Sequence, residues 1–397
     1  MPSAPMVQGG AAREPRPEGS LAARPAHAPR ARPRLCFVSP RGWPVLSADA
    51  GIRHIGGAEL QQCTLARLFA GAGYRVSMVC FDYGQPEGVR VDGVSVHKAY
   101  RPEAGLPGLR FFHPRLTSMW RALAAADAEV YCARAASAWA GIVVEFCRRH
   151  GRRSIYSGAS NMDFVPGEGG QIRYARDRWI YRRGLARADA ILAQNEAQRA
   201  SCRANYGREA VVIPSCYAQP PRMARSDAAD RVLWAGRIEE GKRPEMFLEL
   251  AARLPHRRFT LVGGPGAGQE PLFERLRERA ATLPNVELTG FLPLAEVEPW
   301  FDRARLLVNT SCYEGMPNTF LQAWARGVPT LATVDVGTPV HRVFRDAEEG
   351  AAAIEALFQS RVAWEAASRR CREHFEHRHS SAEVLARYER LFEELRA

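Results

Sequence analysis

The 397-residue sequence is longer than one hydrophobic core usually allows and predicts two domains. It contains no run of eighteen apolar residues and no apolar leader at its start, which argues against a membrane-spanning helix or a secretory signal. Nine scattered cysteines without a C-x-x-C pair predict reduced thiols and a cytoplasmic protein, and the net charge of +12 indicates an anionic partner.

The N-terminal third predicts a tail followed by a βαβ unit. Residues 1–33 are rich in Ala, Pro and Arg and predict a disordered basic tail. A short apolar strand at Arg34–Ser39 is followed by Gly56 and Gly57, an amphipathic helix, and a second strand at Val76–Phe81. A glycine pair before a helix lets a ligand approach the backbone closely.

The pattern of strand and helix continues to residue 214. Further predicted strands are Val94–His97, Glu129–Cys132, Ser154–Ser157, Ala190–Ala193 and Val211–Pro214. Such alternation predicts a doubly wound parallel sheet, whose ligands bind at the carboxyl ends of the strands. Arg134, Asn161 and Asp163 follow two of these strands and are candidates for that edge.

A Pro- and Ser-rich linker at 215–230 separates two predicted α/β halves. The predicted domains are 34–214 and 231–360, with a charged helix at 361–397. In the second half Arg237 follows a strand and Lys242 lies five residues later, so that two cations at one strand end can neutralise a diphosphate. The glycines of 263–268 do not have the spacing of a dinucleotide fingerprint.

The segment Asn309–Thr333 (NTSCYEGMPNTFLQAWARGVPTLAT) leads from an apolar strand through a polar loop into a helix. Asn318 or Thr319 is the predicted N-cap. Glu314 and Gln322 then flank an open helix N-terminus, which suits a phosphate.

The run Glu314 to Thr319 (EGMPNT), with Ala323 and the turn Gly327–Pro329, resembles the signature of the retaining glycosyltransferases of family four. The resemblance extends over Arg34–Ala397 and is most specific over Val232–Thr333. It implies the GT-B fold, in which two Rossmann-like doubly wound parallel-sheet domains face a central cleft and the C-terminal helix packs back on the first domain. These enzymes use nucleotide sugars and need no metal or other cofactor.

The resemblance also implies roles for individual residues. Arg237 and Lys242 would stabilise the leaving diphosphate, and Glu314 would contact the donor sugar, so these three are the predicted catalytic residues. The predicted donor-binding residues are Gly56, Gly57, Gly236, Gly264, Phe291, Leu292, Gly315, Met316, Pro317, Asn318, Thr319 and Gln322. On the acceptor side the resemblance favours Arg134, Asn161 and Asp163.

The sequence departs from the family pattern at two places. Gln322 stands where the family has a second Glu, which contacts the donor ribose; an amide has one acceptor oxygen and an NH₂ donor. The stretch 334–350 lacks the family's glycine-rich turn and following apolar strand, so the last strand of the second domain is not predicted.

Residues 173–187 alternate arginines with aromatic side chains. Two interpretations remain open: a solvated helix face whose aromatics pack inward, or a surface that docks peripherally on an anionic membrane and fits a lipid-linked acceptor. No nucleic-acid-binding motif is found.

These patterns together favour a retaining glycosyltransferase. It would move a sugar from a UDP-, GDP- or ADP-sugar to a hydroxyl of a glycan, lipid-linked or small-molecule acceptor, in cell-surface polysaccharide or glycolipid synthesis at the cytoplasmic side of the membrane. One alternative is a GT-B sugar-nucleotide epimerase, which would need its own acid–base residues and no acceptor. The other is a non-catalytic nucleotide-sugar-binding protein, suggested by Gln322.

Overall fold

The structure is a computed structural model that describes residues 32–48, 56–167, 172–218 and 229–396. The predicted tail, except for its last two residues, and most of the predicted linker lie outside the described residues. The described residues from 33 to 396 belong to one compact unit, which contains one mostly parallel and one wholly parallel sheet.

The first sheet has eight strands, and its central parallel strands are apolar runs that are largely buried. The strands are β1 (Leu35–Val38), β2 (Val76–Cys80), β3 (Arg90–Val91), β4 (Val94–Lys98), β5 (Val130–Arg134), β6 (Arg153–Ser157), β7 (Ala190–Ala193) and β8 (Val211–Val212). The helices are α1 (Trp43–Ser47), α2 (Gly57–Gly71), α3 (Thr117–Ala126), α4 (Ala138–Arg149), α5 (Ala175–Leu185) and α6 (Glu196–Tyr206). The spatial order β3-β4-β2-β1-β5-β6-β7-β8 is parallel except for the β3–β4 pair, and the winding direction changes between β1 and β5.

The second sheet has six strands and is parallel throughout. Its strands are β9 (Arg231–Ala235), β10 (Arg258–Val262), β11 (Val286–Gly290), β12 (Ala304–Asn309), β13 (Thr330–Ala332) and β14 (His341–Val343). Its helices are α7 (Pro244–Arg253), α8 (Glu270–Ala281), α9 (Leu294–Asp302), α10 (Asn318–Trp324) and α11 (Ala347–Gln359). The order β11-β10-β9-β12-β13-β14 places the change of winding between β9 and β12, and β14 supplies the last strand that the sequence did not predict. Two doubly wound parallel sheets confirm the predicted GT-B fold class.

The C-terminal segment predicted as one helix is two helices, α12 (Arg361–Arg378) and α13 (Ser381–Arg396). Phe375 of α12 packs in the core of the second sheet, whereas Tyr388 and Phe392 of α13 pack on Phe69 of α2. The helices separate because the Ser380 side chain accepts a hydrogen bond from the N–H of residue 383 at 3.4 Å, which starts a new helix.

The chain crosses between the two domains at two adjacent places. Cys216 is held in the first domain by Gln61, whose side chain donates to its carbonyl at 2.8 Å and accepts from its N–H at 3.1 Å. Tyr217 packs on the core of the second domain, and its N–H donates to the carbonyl of His379 at 3.1 Å. We call residues 215–217 and 379–380 the hinge.

Candidate functional site

A cleft of about 520 Å³ lies between the two domains at the carboxyl ends of their strands. Because both sheets change winding direction at strands that reach this cleft, it is the place where a doubly wound fold binds ligands. Its volume is in the range of sites for small molecules. The cleft is lined by all the residues predicted for the donor side, namely Gly56, Gly57, Gly236, Arg237, Lys242, Gly264, Phe291, Leu292, Glu314, Gly315, Met316, Pro317, Asn318, Thr319 and Gln322.

Lys242 and Glu314 form an ion pair in the cleft. The turn before α7 is tied to the loop after β12, because Gly241 O accepts from the N–H of Cys312 at 2.8 Å and Lys242 O accepts from the Thr310 hydroxyl at 2.7 Å. The Ser311 hydroxyl also donates to Glu314 Oε1 at 2.7 Å. The Glu314 side chain is only 13% exposed, and its Oε1 accepts hydrogen bonds from Lys242, Asn309 and Ser311.

Arg237 is the second cation of this wall. Its Nε pairs with Glu239 Oε1 at 3.0 Å, and its side chain remains 39% exposed in the cleft. Arg237 and Lys242 therefore provide two positive charges where the strands β9 and β12 end. Both cations are paired with carboxylates, Glu239 and Glu314, and each can donate a charge-assisted hydrogen bond to a phosphate group that enters the cleft.

Two of the predicted glycines allow close approach of main chains. A Cβ on Gly264 would lie 2.7 Å from the Cβ of Phe291, which would push apart the turns that follow β10 and β11. A Cβ on Gly315 would lie 2.9 Å from the carbonyl of Ala159 and 2.5 Å from the side-chain amide of Gln194. Gly315 belongs to the second domain and the other two residues to the first, so only glycine permits this closure of the cleft.

Asn318 or Thr319 was predicted to cap α10, and this prediction is wrong because both residues lie within the helix. The N-cap is Pro317 and makes no side-chain cap, while Asn318 is the first residue of the helix. The Asn318 side chain donates to Gly57 O at 3.0 Å and accepts from Gln61 at 2.7 Å. The Asn318 side chain therefore does not cap the helix, because its hydrogen bonds connect the second domain to α2 of the first domain.

Gln322 is 3% exposed and belongs to a network of side chains behind the cleft. Its Nε2 donates to Glu298 Oε1 at 2.8 Å. The other oxygen of Glu298 accepts from the Tyr217 hydroxyl at 2.5 Å and from Arg326 at 2.8 Å. Burial, followed by the charge of Glu298, raises the pKa of Tyr217 well above its ordinary value, so the phenol remains a donor.

Arg134 lines the wall formed by the first domain, where β5 ends. It donates to the hydroxyls of Ser157 at 2.9 Å and Ser215 at 3.2 Å, and burial lowers its pKa below the ordinary value. Asn161 and Asp163 are not among the residues that line the cleft, whereas the neighbouring Ala159 and Ser160 are, so their role on the acceptor side stays a prediction.

Asp163 is 1% exposed, and the N–H groups of Ala159 at 2.7 Å and Ser160 at 3.3 Å donate to its carboxylate, which offsets the cost of burying it. Burial raises its pKa. Asn161 accepts from Gln198 at 3.2 Å. These two residues therefore shape the loop that reaches the cleft.

Sequence reasoning missed Arg41, Gln61 and Glu298. Arg41 follows β1 and lines the cleft, and the rule that ligands bind where strands end could have found it. Gln61 is a buried polar residue within an apolar helix face, which was a usable signal. Glu298 carries no local signal, since a carboxylate on a helix is usually solvated.

Within the described ranges no group of three or more His, Cys, Asp or Glu residues is arranged to hold a metal ion. In the same part of the chain no helix is both long and apolar enough to cross a membrane.

Two family profiles match the sequence. Residues 229–366 match the family described as Glycosyl transferases group 1, and residues 56–216 match the Glycosyl transferase 4-like domain. A D-inositol 3-phosphate glycosyltransferase of Streptomyces avermitilis is 32% identical over 192 residues, which is 43% of this chain and 40% of that protein. A protein of the same name from Streptomyces coelicolor is 33% identical over 30% of this chain and 28% of its own length.

Solved structures share the fold at lower sequence identity. Sucrose-phosphate synthase from Thermosynechococcus elongatus is 19% identical with a TM-score of 0.74, and the match covers 92% of this chain and 99% of that one. HepE of Anabaena, solved in complex with UDP and glucose, is 14% identical with a TM-score of 0.69 and covers 91% and 100% of the two chains.

Proposed function

Since the chain belongs to family four of the glycosyltransferases with the GT-B fold, we propose that it transfers a sugar from a nucleotide diphosphate sugar to an acceptor hydroxyl, with retention of the anomeric configuration. The observation that carries the proposal is the Lys242–Glu314 ion pair beside Arg237 in a cleft between two doubly wound sheets.

In this proposal Arg237 and Lys242 stabilise the diphosphate as it leaves. Negative charge grows on the leaving oxygen when the glycosidic bond breaks, and two fixed cations in a half-buried site lower the energy of that state. They do so without a metal ion. As the bond between the anomeric carbon and the diphosphate breaks, the leaving diphosphate oxygen takes up the proton of the acceptor hydroxyl, and the acceptor oxygen bonds to the same face of the anomeric carbon.

Glu314 holds the donor sugar. Its carboxylate is oriented by Lys242 and Ser311, and an ionised carboxylate accepts hydrogen bonds from sugar hydroxyls. Gly315 and Gly57 let the domains close over the donor, which excludes water that would otherwise hydrolyse it.

The acceptor enters along the first domain, past Arg41 and Arg134. A glycan, a lipid-linked sugar and a small molecule are all candidates, in the synthesis of a cell-surface polysaccharide or glycolipid. The matched relatives are named for a phosphorylated small molecule, and two arginines on the acceptor wall support testing phosphorylated acceptors first.

The test offers purified full-length protein UDP-, GDP- and ADP-linked sugars with a panel of acceptors, in buffer with and without EDTA. We expect release of nucleoside diphosphate, a product whose anomeric signal in NMR matches the donor, and no effect of EDTA. Inversion would refute the stereochemical proposal. An isomerised donor would support an epimerase, and binding without turnover would support a non-catalytic nucleotide-sugar-binding protein.

A surface on the first domain supports peripheral contact with an anionic membrane. A groove of about 630 Å³ between α3, α4 and α5 has Trp120, Ile142 and Trp179 in its walls and arginines on its rim. Tyr181 is turned inward, but Trp179 is 62% exposed and Phe112 is 59% exposed. Exposed aromatic rings beside arginines suit the interface of a bilayer with anionic headgroups.

Membrane contact is tested by co-sedimentation with vesicles. The wild type should bind vesicles of phosphatidylcholine with phosphatidylglycerol more tightly than pure phosphatidylcholine, and Trp179→Ser should weaken that binding about ten-fold. Val362→Ser is the matched control, because Val362 is 78% exposed on α12 and far from the groove in sequence. Equal binding of all three proteins would refute the docking surface.

A further inference from the structure

Gln322 is oriented by a carboxylate that comes from a different helix. Its Nε2 lies 2.8 Å from Glu298 Oε1, and Gln322 also lines the cleft. An ionised carboxylate only accepts hydrogen bonds, so the amide must present its nitrogen to Glu298. The amide oxygen is then the acceptor that remains for a ligand in the cleft.

Glu298 is itself held in place. Tyr217 OH donates to Glu298 Oε2 at 2.5 Å, and Arg326, which is 4% exposed, donates to the same oxygen at 2.8 Å. Arg326 Nε also donates to Asp302 Oδ1 at 2.6 Å, so the buried guanidinium is paired with two carboxylates. Tyr217 and Arg326 together fix the position of the Glu298 carboxylate, and this in turn fixes the rotation of the Gln322 amide.

From this geometry we propose that Glu298 is a positioning residue, which orients the Gln322 amide so that its oxygen accepts a hydrogen bond from a ribose hydroxyl. The inference rests on the proposed function, since it assumes a nucleotide sugar in the cleft. Gln322 is thereby an adapted part of the donor site, and its presence does not indicate loss of activity.

The Glu298–Gln322 hydrogen bond predicts the outcome of restoring the residue that the family has at position 322. Restoring the family residue with Gln322→Glu would bring two carboxylates to the distance of a hydrogen bond, where like charges repel. We expect the KM for the donor to rise about ten-fold or more, with kcat changed less than about three-fold. Glu298→Gln should raise KM to a similar extent because the amide is no longer oriented.

The double variant Glu298→Gln with Gln322→Glu restores one carboxylate and one amide. We expect its donor KM to return to within about three-fold of the wild type, which is a coupling that a merely structural role would not produce. Asp302→Asn is the control: it removes the other carboxylate from Arg326 without touching Gln322 and should leave KM within about two-fold. Circular dichroism and melting temperature verify that each variant folds.

A binding readout separates the ribose contact from catalysis. The nucleoside diphosphate of the accepted donor and its 2′-deoxy and 3′-deoxy forms are titrated by calorimetry. For the wild type, at least one of the two deoxy forms should bind about ten-fold more weakly than the complete nucleoside diphosphate. For Glu298→Gln the same form should bind less than about three-fold more weakly, because the contact between Gln322 and the ribose is already lost. Equal losses in both proteins, or a double variant whose KM is no better than that of either single variant, would overturn the positioning role of Glu298. A wild type that neither binds nor turns over any nucleotide sugar would instead refute the proposed function.

Discussion

His379 lies in the hinge and should make the stability of the protein depend on pH. Its ring is 2% exposed and packs on the rings of Trp324 and His374, with centroids 5.8 and 5.3 Å away. Nδ1 lies 2.8 Å from Ser215 O, and since a carbonyl only accepts, the proton of the neutral ring is on Nδ1. Burial lowers the pKa of His379 from its ordinary 6.5 to about 3.

The direction of the effect follows from proton uptake. In the unfolded chain His379 takes up a proton near pH 6.5, whereas in the folded protein it stays neutral down to about pH 3. Between these values the unfolded state binds more protons, so the free energy of unfolding decreases as the pH decreases. Between pH 7.5 and pH 5 the contribution of this single group amounts to about 2 kcal/mol.

Urea denaturation at pH 7.5 and pH 5 measures this contribution. His379→Gln should lose about 2 kcal/mol less stability between the two pH values than the wild type, whatever its stability at pH 7.5. The exposed His377→Gln should behave as the wild type does. Carboxylates whose pKa is lowered, such as Glu355 at about 2, lose their contribution only below about pH 4.5 and do not interfere. If the free energy of unfolding depended on pH in the same way in all three proteins, His379 would have to be protonated in the folded state at pH 5.

The remaining predictions concern catalysis. Lys242→Met should lower kcat about 100-fold, because one of the two cations that stabilise the diphosphate is lost; single-turnover kinetics measure this, and Lys98→Met on the first sheet is the control with unchanged kcat. Gly315→Ala should lower kcat/KM at least about ten-fold while binding of the free nucleotide is retained, since a Cβ would meet the carbonyl of Ala159 when the domains close. A fully active Gly315→Ala variant would mean that the domains do not close this far during catalysis.

Much of the fold could be predicted because the buried parallel strands are runs of apolar residues in the sequence. The strand His341–Val343 could not, since it is a short edge strand whose last two side chains are exposed. The break at His379 and Ser380 was also missed. The sequence on both sides of these residues is charged and typical of a helix, so no local signal marks the break. The break is needed because α12 packs on the second domain and α13 on the first.

The donor side of the site could be predicted because its residues are close together in sequence and form a motif. Asn318 was assigned to the helix cap because capping is local, whereas its real partners, Gln61 and Gly57, are more than 250 residues away. Glu298 could not be found from sequence either, because its partner Gln322 lies on a different helix. Only the packing of α9 against α10 brings its carboxylate to Gln322.

The position of α13 has a consequence for how the protein forms during synthesis. Val384, Tyr388, Leu391 and Phe392 are buried in the core of the first domain beside Phe69. Each such side chain contributes about 1.5–3 kcal/mol when it is buried. The ribosome finishes the first sheet about 170 residues before it makes α13, a delay of about 10–35 s. During that time the first domain exposes an apolar surface that the last helix will cover, and chaperones would be expected to bind the nascent chain there.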